Sequence, residues 1–132
     1  MSAIDRHTVL RVADDLFRAI EHSDVSAVAK LFRPDVAVWN SGDRKDNDRD
    51  RSLRIIAWFI AGTVERRYQI LDRQVFDGGF VQQHVLHATV RPGGVLAMRV
   101  CIVIKIGDDG LIDRIDEYFD PAELAPLVGG TA

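Results

Sequence analysis

The chain has 132 residues, 47% of them apolar, and 17 Lys and Arg stand against 20 Asp and Glu for a net charge of −3. That length and composition suit one domain, residues 1–132, able to bury its own core without staples. The acidic balance argues against a general partner for nucleic acid or anionic membrane, since both need a basic surplus.

Cys101 is the single cysteine, which rules out an intramolecular disulfide and fits a reducing cytoplasm. The opening "MSAIDRHTVLRVADD" breaks every apolar run with charge, so no signal peptide is expected. No apolar run approaches the roughly 18 residues of a spanning helix, so no membrane partner is expected either.

Residues 5–21 set Val9, Val12, Ala13, Leu16, Phe17 and Ile20 at helical spacing, with Ser2 and Asp5 resembling a capping box. "SDVSAVAKLFRPD" predicts a short second helix, capped by Ser23 or Asp24 and ended by Pro34. Val36 to Trp39 is β-branched and apolar and predicts a strand. Residues 41–51 are almost wholly polar and predict a solvated loop. Within it Asp46, Asp48 and Asp50 alternate like the start of a calcium loop. Arg51 stands where that loop needs Gly, and Ala57 where it needs Glu, so no metal site is expected. A third helix is predicted over 52–61, with Leu53, Ile56, Phe59 and Ile60 on its buried face and Gly62 at its end.

The second half changes rhythm. Residues 66–76, 80–91, 95–106 and 111–119 are strand-like and separated by "DGG", "RPGG" and "GDDG", which are hairpin signals. Asp120-Pro121-Ala122-Glu123 then supplies an N-cap, a proline at the first helical position and a Glu near it, predicting a short terminal helix. Helices followed by a run of strands imply an α+β fold with helices on one side of an antiparallel sheet.

Two segments carry the chemistry. "VAVWN" and "IDEYFDPAEL" each end a predicted strand by setting a polar group among apolar ones. If one curved sheet holds both strands, Asn40 and Glu117 meet in an apolar pocket. A carboxylate there has its pKa raised by desolvation and exchanges a proton near neutral pH. Asn40 both donates and accepts, so it suits holding a water or a substrate oxygen, although "NSGD" is equally a turn. Alternation puts Asp113, Ile115, Glu117 and Phe119 on one face of the last strand. His84 and His87, three apart, face opposite sides of a strand and form no metal pair. Cys101, within "RVCIVIKI", reads as a packed or interface thiol.

"LFRAIEHSDVSAVAKLFRPDVAVWN", "GGFVQQHVLHATVRPGG" and "DGLIDRIDEYFDPAEL", in this order, resemble the nuclear transport factor 2-like superfamily. Its members include ketosteroid isomerase, scytalone dehydratase, SnoaL-type polyketide cyclases and limonene epoxide hydrolase. The resemblance spans nearly the whole chain. It implies a cone-shaped single domain, a curved antiparallel sheet with N-terminal helices over its concave face.

Against the ketosteroid isomerases, the aspartate base becomes Asn40, the oxyanion tyrosine falls near Leu16 and the second acid near Ile102, so that mechanism is disfavoured. Against the epoxide hydrolases, the water-positioning asparagine matches Asn40 and the last-strand aspartate matches Glu117. Their tyrosine becomes Val38, their central Arg and Asp fall near Val85 and His87, and a tryptophan becomes Ile115. The match favours His87 inward, with Gln83 beside it.

The resemblance thus implies Glu117 as acid/base, Asn40 holding water or a substrate oxygen, and His87 assisting, with no cofactor. Phe17, Ile20, Trp39, Phe59, Ile60 and Phe119 are expected around the cavity. The strands are expected to add Val38, Val85, Met98, Val100, Ile102 and Ile115. The expected ligand is small, apolar and oxygen-bearing (a terpenoid, steroid or polyketide), and the expected partner is a second copy through the open sheet face. The alternative is a binding or dimerisation module without catalysis.

Overall fold

A computed structural model describes residues 4–91 and 93–128. The chain opens with α1 (Arg6–Glu21), whose N-cap is Asp5, its carboxylate accepting from the Thr8 amide at 2.8 Å. Ser2 of the expected capping box lies outside the described residues. His22 caps the C-terminal end of the helix, and Ser23 just beyond it adopts the left-handed φ of 61°. Its amide and that of Asp24 return to Ile20 and Ala19 carbonyls, closing the last turn.

Asp24, not Ser23, caps α2 (Val25–Leu31), accepting from the Ala27 amide at 3.0 Å. That helix stops before Pro34, which sits inside β1 (Phe32–Asn40). β1 is an edge strand with an irregular register between Phe32 and Ala37, and a proline is tolerated there because its missing N–H is not required. The polar loop that follows is less solvated than its composition suggests. Asn47 is buried and forms an antiparallel bridge with Val38, and Asp48 caps α3 (Arg49–Ala61), which starts three residues earlier than the apolar spacing indicates.

β2 (Thr63–Phe76), β3 (Gly79–Val90), β4 (Val95–Ile106) and β5 (Ile112–Tyr118) form antiparallel neighbours. β1 joins the far side, parallel to β5, for an order β1-β5-β4-β3-β2. The sheet is therefore mixed. Its register slips at Ile70/Asp72 in β2 and at Lys105/Ile106 in β4, and such bulges add twist and bend to a strand. A final 3-10 turn, Pro121–Leu124, is capped by Asp120 and packs on β4.

The core lies between α1 and the inner face of the sheet. Val9, Val12, Ala13, Leu16, Phe17 and Ile20 of α1 are buried, as are the even-numbered residues of β3 and β4. α1 packs on β2 and β3, α3 on β1 and β2, and α2 links the two helices. The architecture is α+β, as expected. Among the described residues no helix is long and apolar enough to cross a membrane.

Candidate functional site

The ends of β1 and β5 come together by register. Val38 pairs with Ile115 and Asn40 with Glu117, so the two polar residues are neighbours on parallel strands. Ser41 fixes this junction: its amide donates to the Glu117 carbonyl at 3.0 Å, and its hydroxyl accepts from the Phe119 amide at 3.0 Å. Behind it, Asp43 accepts from the Asn40 amide at 3.0 Å and from the Asn47 side chain at 2.8 Å. Asn47 also donates to the Val38 carbonyl and accepts from Arg51, so the loop is held both to the strand and to the first turn of α3.

Glu117 pairs with Ile102 of β4 on its other side, and Ile115 with Ile104. It is only half-buried by area, yet its carboxyl group sits deep enough among protein atoms that desolvation pushes its pKa from 4.5 up to about 7. Burial also raises the Tyr68 hydroxyl, and the negative charges of Glu117 and Glu21 raise it further. Tyr68 therefore stays a neutral phenol. β2 is an edge strand, and Glu21 accepts from the Tyr68 amide at 2.9 Å, which covers an N–H that no neighbouring strand pairs.

His84 is fully buried, with Phe17 and Tyr68 rings edge-on to its imidazole at 5.5 and 5.0 Å. Desolvation, with the Arg73 charge as a second cause, lowers its pKa to about 4. Its Nδ1 meets Gln82 Nε2 at 2.8 Å; Gln82 Oε1 accepts from Arg73 Nε at 2.7 Å; and Arg73 reaches Asp14 of α1 at 2.8 Å.

The expected residues fall into two groups. Phe17, Ile20, Val38, Met98, Val100, Ile102 and Ile115 are buried in the core, and Phe59, Ile60 and Phe119 are half-buried against it. Val85, His87 and Trp39 are on the other face. On β3 the buried row is Phe80, Gln82, His84 and Leu86, so the odd-numbered Gln83, Val85 and His87 point away from the helices. This corrects the inward placement of His87, which instead meets the Gln69 side chain at 2.8 Å. The Trp39 ring meets that of Tyr118 of β5 at a tilt, 5.3 Å between centroids, and its indole donates to the Asp43 carbonyl.

The His84 row was missed because both rows of "FVQQHVLHATV" mix polar and apolar residues. The usable signal is in β4, where Leu96, Met98, Val100, Ile102, Ile104 and Ile106 form one unbroken apolar row. Carried across the hairpin, that row pairs Leu96 with Ala88, Met98 with Leu86 and Val100 with His84.

A surface groove of about 690 Å³, lined by Glu21, His22, Arg66, Arg67, His87 and neighbouring residues, touches neither Glu117 nor His84. Among the described residues no group of three or more His, Cys, Asp or Glu is placed to hold a metal ion.

A family model described as the SnoaL-like domain matches residues 13–115. Among solved structures, PrhC from Penicillium brasilianum is similar with a TM-score of 0.82 at 16% identity, covering 94% of this chain and 87% of that one. An LEH-like epoxide hydrolase from M. tuberculosis is similar with a TM-score of 0.75 at 19% identity, over 94% of this chain and 92% of that one. BvnE, a pinacolase from Penicillium brevicompactum, gives 0.80 at 10% identity, over 94% and 90%. At these identities the likeness is one of fold. No curated protein matches the sequence significantly.

Proposed function

This chain belongs to the SnoaL-like domain family of the nuclear transport factor 2-like superfamily, and we propose that its interior is a pocket for acid/base chemistry on a small apolar, oxygen-bearing molecule. The observation that carries the reading is Glu117, a carboxyl group brought by burial to about 7 beside Asn40 at the junction of β1 and β5. Near that pH it is populated both as acid and as base, so it protonates a substrate oxygen or removes a proton without extreme conditions. Asn40 holds a water or a substrate oxygen in line with it, offering a donor and an acceptor from one amide. Half-buried Phe59, Ile60, Phe119 and Tyr68, which pack against the core, are the residues proposed to supply the apolar surroundings.

Hydration, dehydration, cyclisation and isomerisation all fit this chemistry. The names of the structural neighbours, an epoxide hydrolase and a pinacolase, lie within the same range. Terpene epoxides, steroids and aromatic polyketides are the compounds to test. The experiment is a thermal-shift screen of wild type and Glu117→Gln against them, followed by turnover assays on each compound that stabilises. Stabilisation reports binding to the native state. Glu117→Gln should abolish turnover while the protein remains folded; a fully active variant ends the assignment.

A second reading has its own support. The outer sheet face carries half-buried Val81, Val85, Cys101 and Val103 and the Trp39–Tyr118 ring pair, with no described layer over it. We propose that a second copy covers it. A reducing cytoplasm is the compartment proposed with this, since Cys101 lies on that face. A homodimer that binds ligand but turns nothing over is the non-catalytic form of the same proposal.

A further inference from the structure

The chain of contacts from Asp14 to His84 leaves one atom undetermined by its neighbours, and the identity of that atom can be deduced. An arginine side chain only donates, so the Gln82 atom facing Arg73 at 2.7 Å is the carbonyl Oε1. The other end of that amide, Nε2, then faces His84 Nδ1 at 2.8 Å, and an amide nitrogen only donates. His84 Nδ1 is therefore an acceptor without a proton. A neutral imidazole has one N–H, and it is left on Nε2.

Nε2 is fully buried and has no hydrogen-bond partner in the protein. The ring cannot turn over to satisfy it, because Arg73, itself tied to Asp14, orients Gln82 and Gln82 orients the ring. The Phe17 and Tyr68 rings hold it from the sides. Tyr68 lies edge-on to His84, and the charge of Glu117 is among the causes that raise its hydroxyl, so both groups have Tyr68 as a neighbour. A fixed, buried N–H donor without a protein acceptor is suited to a ligand that brings its own oxygen.

We propose that His84 Nε2–H is the hydrogen-bond donor to an acceptor oxygen (ketone, ether or epoxide) of the ligand, and that Gln82, Arg73 and Asp14 are positioning residues that set its tautomer. This rests on the reading of the interior as a ligand pocket and deepens it. It selects oxygenated molecules over hydrocarbons of the same shape. A cationic ligand is disfavoured, since an N–H donor repels it.

The test reads the tautomer directly. Long-range ¹H–¹⁵N correlation at pH 8 should show His84 protonated on Nε2 and bare on Nδ1. Gln82→Glu offers only acceptors to Nδ1, so it should move the proton to Nδ1; Arg73→Met, which frees the amide, should give a mixture. Cyclohexanone and 1-methylcyclohexene oxide are then titrated against methylcyclohexane as the oxygen-free probe. The Nε2 resonance should shift with the oxygenated probes and not with the hydrocarbon. His84→Phe and Gln82→Glu should each weaken the oxygenated probes by about tenfold, one neutral hydrogen bond, and leave the hydrocarbon unchanged. A proton on Nδ1 in the wild type overturns the proposal. So does an Nε2 resonance indifferent to both oxygenated probes, or a His84→Phe variant that binds them undiminished. Because the readout is binding, it separates from the acid/base reading. Glu117→Gln with full turnover removes the chemistry and leaves the donor standing, whereas an indifferent Nε2 with an inactive Glu117→Gln does the reverse.

Discussion

Arg66 Nε donates to the main-chain carbonyl of Ile20 at 2.9 Å, and this contact ties a strand of the sheet to the C-terminal end of α1. The same guanidinium reaches the Ile60 carbonyl at the end of α3, both oxygens of Thr63, and the Ser23 hydroxyl. It is buried, and desolvation lowers its pKa, yet the acceptors it meets are neutral. Two helix C-termini, each with a partial negative charge, stand in for the missing carboxylate. Arg66→Ala leaves several carbonyls unpaired and should cost about 3 kcal/mol in urea unfolding. Arg66→Lys should recover only part of this, because one ammonium cannot span acceptors from two helices. Equal stability of Arg66→Lys and wild type would sink the account.

Glu117 and His84 make opposite contributions to the pH dependence of stability. The Glu117 pKa is raised on folding from 4.5 to about 7. The unfolded chain releases that proton first, so the contribution is full below about 4.5 and lost as pH rises through about 7. His84 falls from 6.5 to about 4, so its contribution is full above 6.5 and lost as pH falls through about 4. Each is on the order of 3 kcal/mol. In the wild type the two slopes offset each other across the overlap. Glu117→Gln should expose a curve that rises from acid to neutral pH, and His84→Gln one that falls over the same range. Denaturant midpoints measured from pH 4 to 8 check this, and parallel curves for the two variants would refute it.

Gly79 and Gly62 should respond differently to one added methyl group. A Cβ at Gly79 would lie 2.2 Å from the Ile104 carbonyl oxygen, which is sheet backbone and cannot yield. At Gly62 the nearest atom, at 2.8 Å, is the Leu127 Cδ1, the end of a flexible side chain. Gly79→Ala is therefore expected to cost about 2–3 kcal/mol. Gly62→Ala should cost about 0.5 kcal/mol or less, and thermal melts of the two side by side decide it.

Val103 sits on β4, the middle strand, on the uncovered outer face. If a second copy covers that face, Val103→Glu should turn a dimer into a monomer in sedimentation equilibrium without lowering helix or strand content. A wild type that stays monomeric at high concentration rules the dimer out.

Much of the fold was legible because each hairpin is punctuated by glycine and the helical stretches by apolar spacing. Of the aspartates that cap the helices, Asp24 was readable as a cap candidate, whereas Asp48 was hidden in a run of charge and Asp5 read as the second member of a box begun by Ser2. What stayed hidden depends on contacts across the sheet. β3 carries Gln82 and His84 inside and Val81 and Val85 outside, so hydrophobicity alone assigns its faces wrongly. β2, "TVERRYQILDRQVF", is rich in charge, yet Arg66 turns inward because helix ends receive its guanidinium, and the Tyr68 ring turns inward against Phe17 and His84. Asn47 is likewise hidden in a polar loop, and only its bridge to Val38 reveals it. The pairing of Asn40 with Glu117 was legible because each lies at or next to the end of its strand, where the parallel ladder between β1 and β5 stops.

The parallel pairing of β1 with β5 has a consequence for the order of events in folding. β2 to β5 are joined by short hairpins, which close quickly, whereas β1 must wait for a partner near the far end of the chain. Asn40 and Glu117 become neighbours only at that step. No N-terminal fragment, however well formed its helices, brings them together. Ligand binding at this junction would appear with the slowest refolding phase, and a circularly permuted chain that begins at β5 and runs on into α1 and β1 should acquire it sooner.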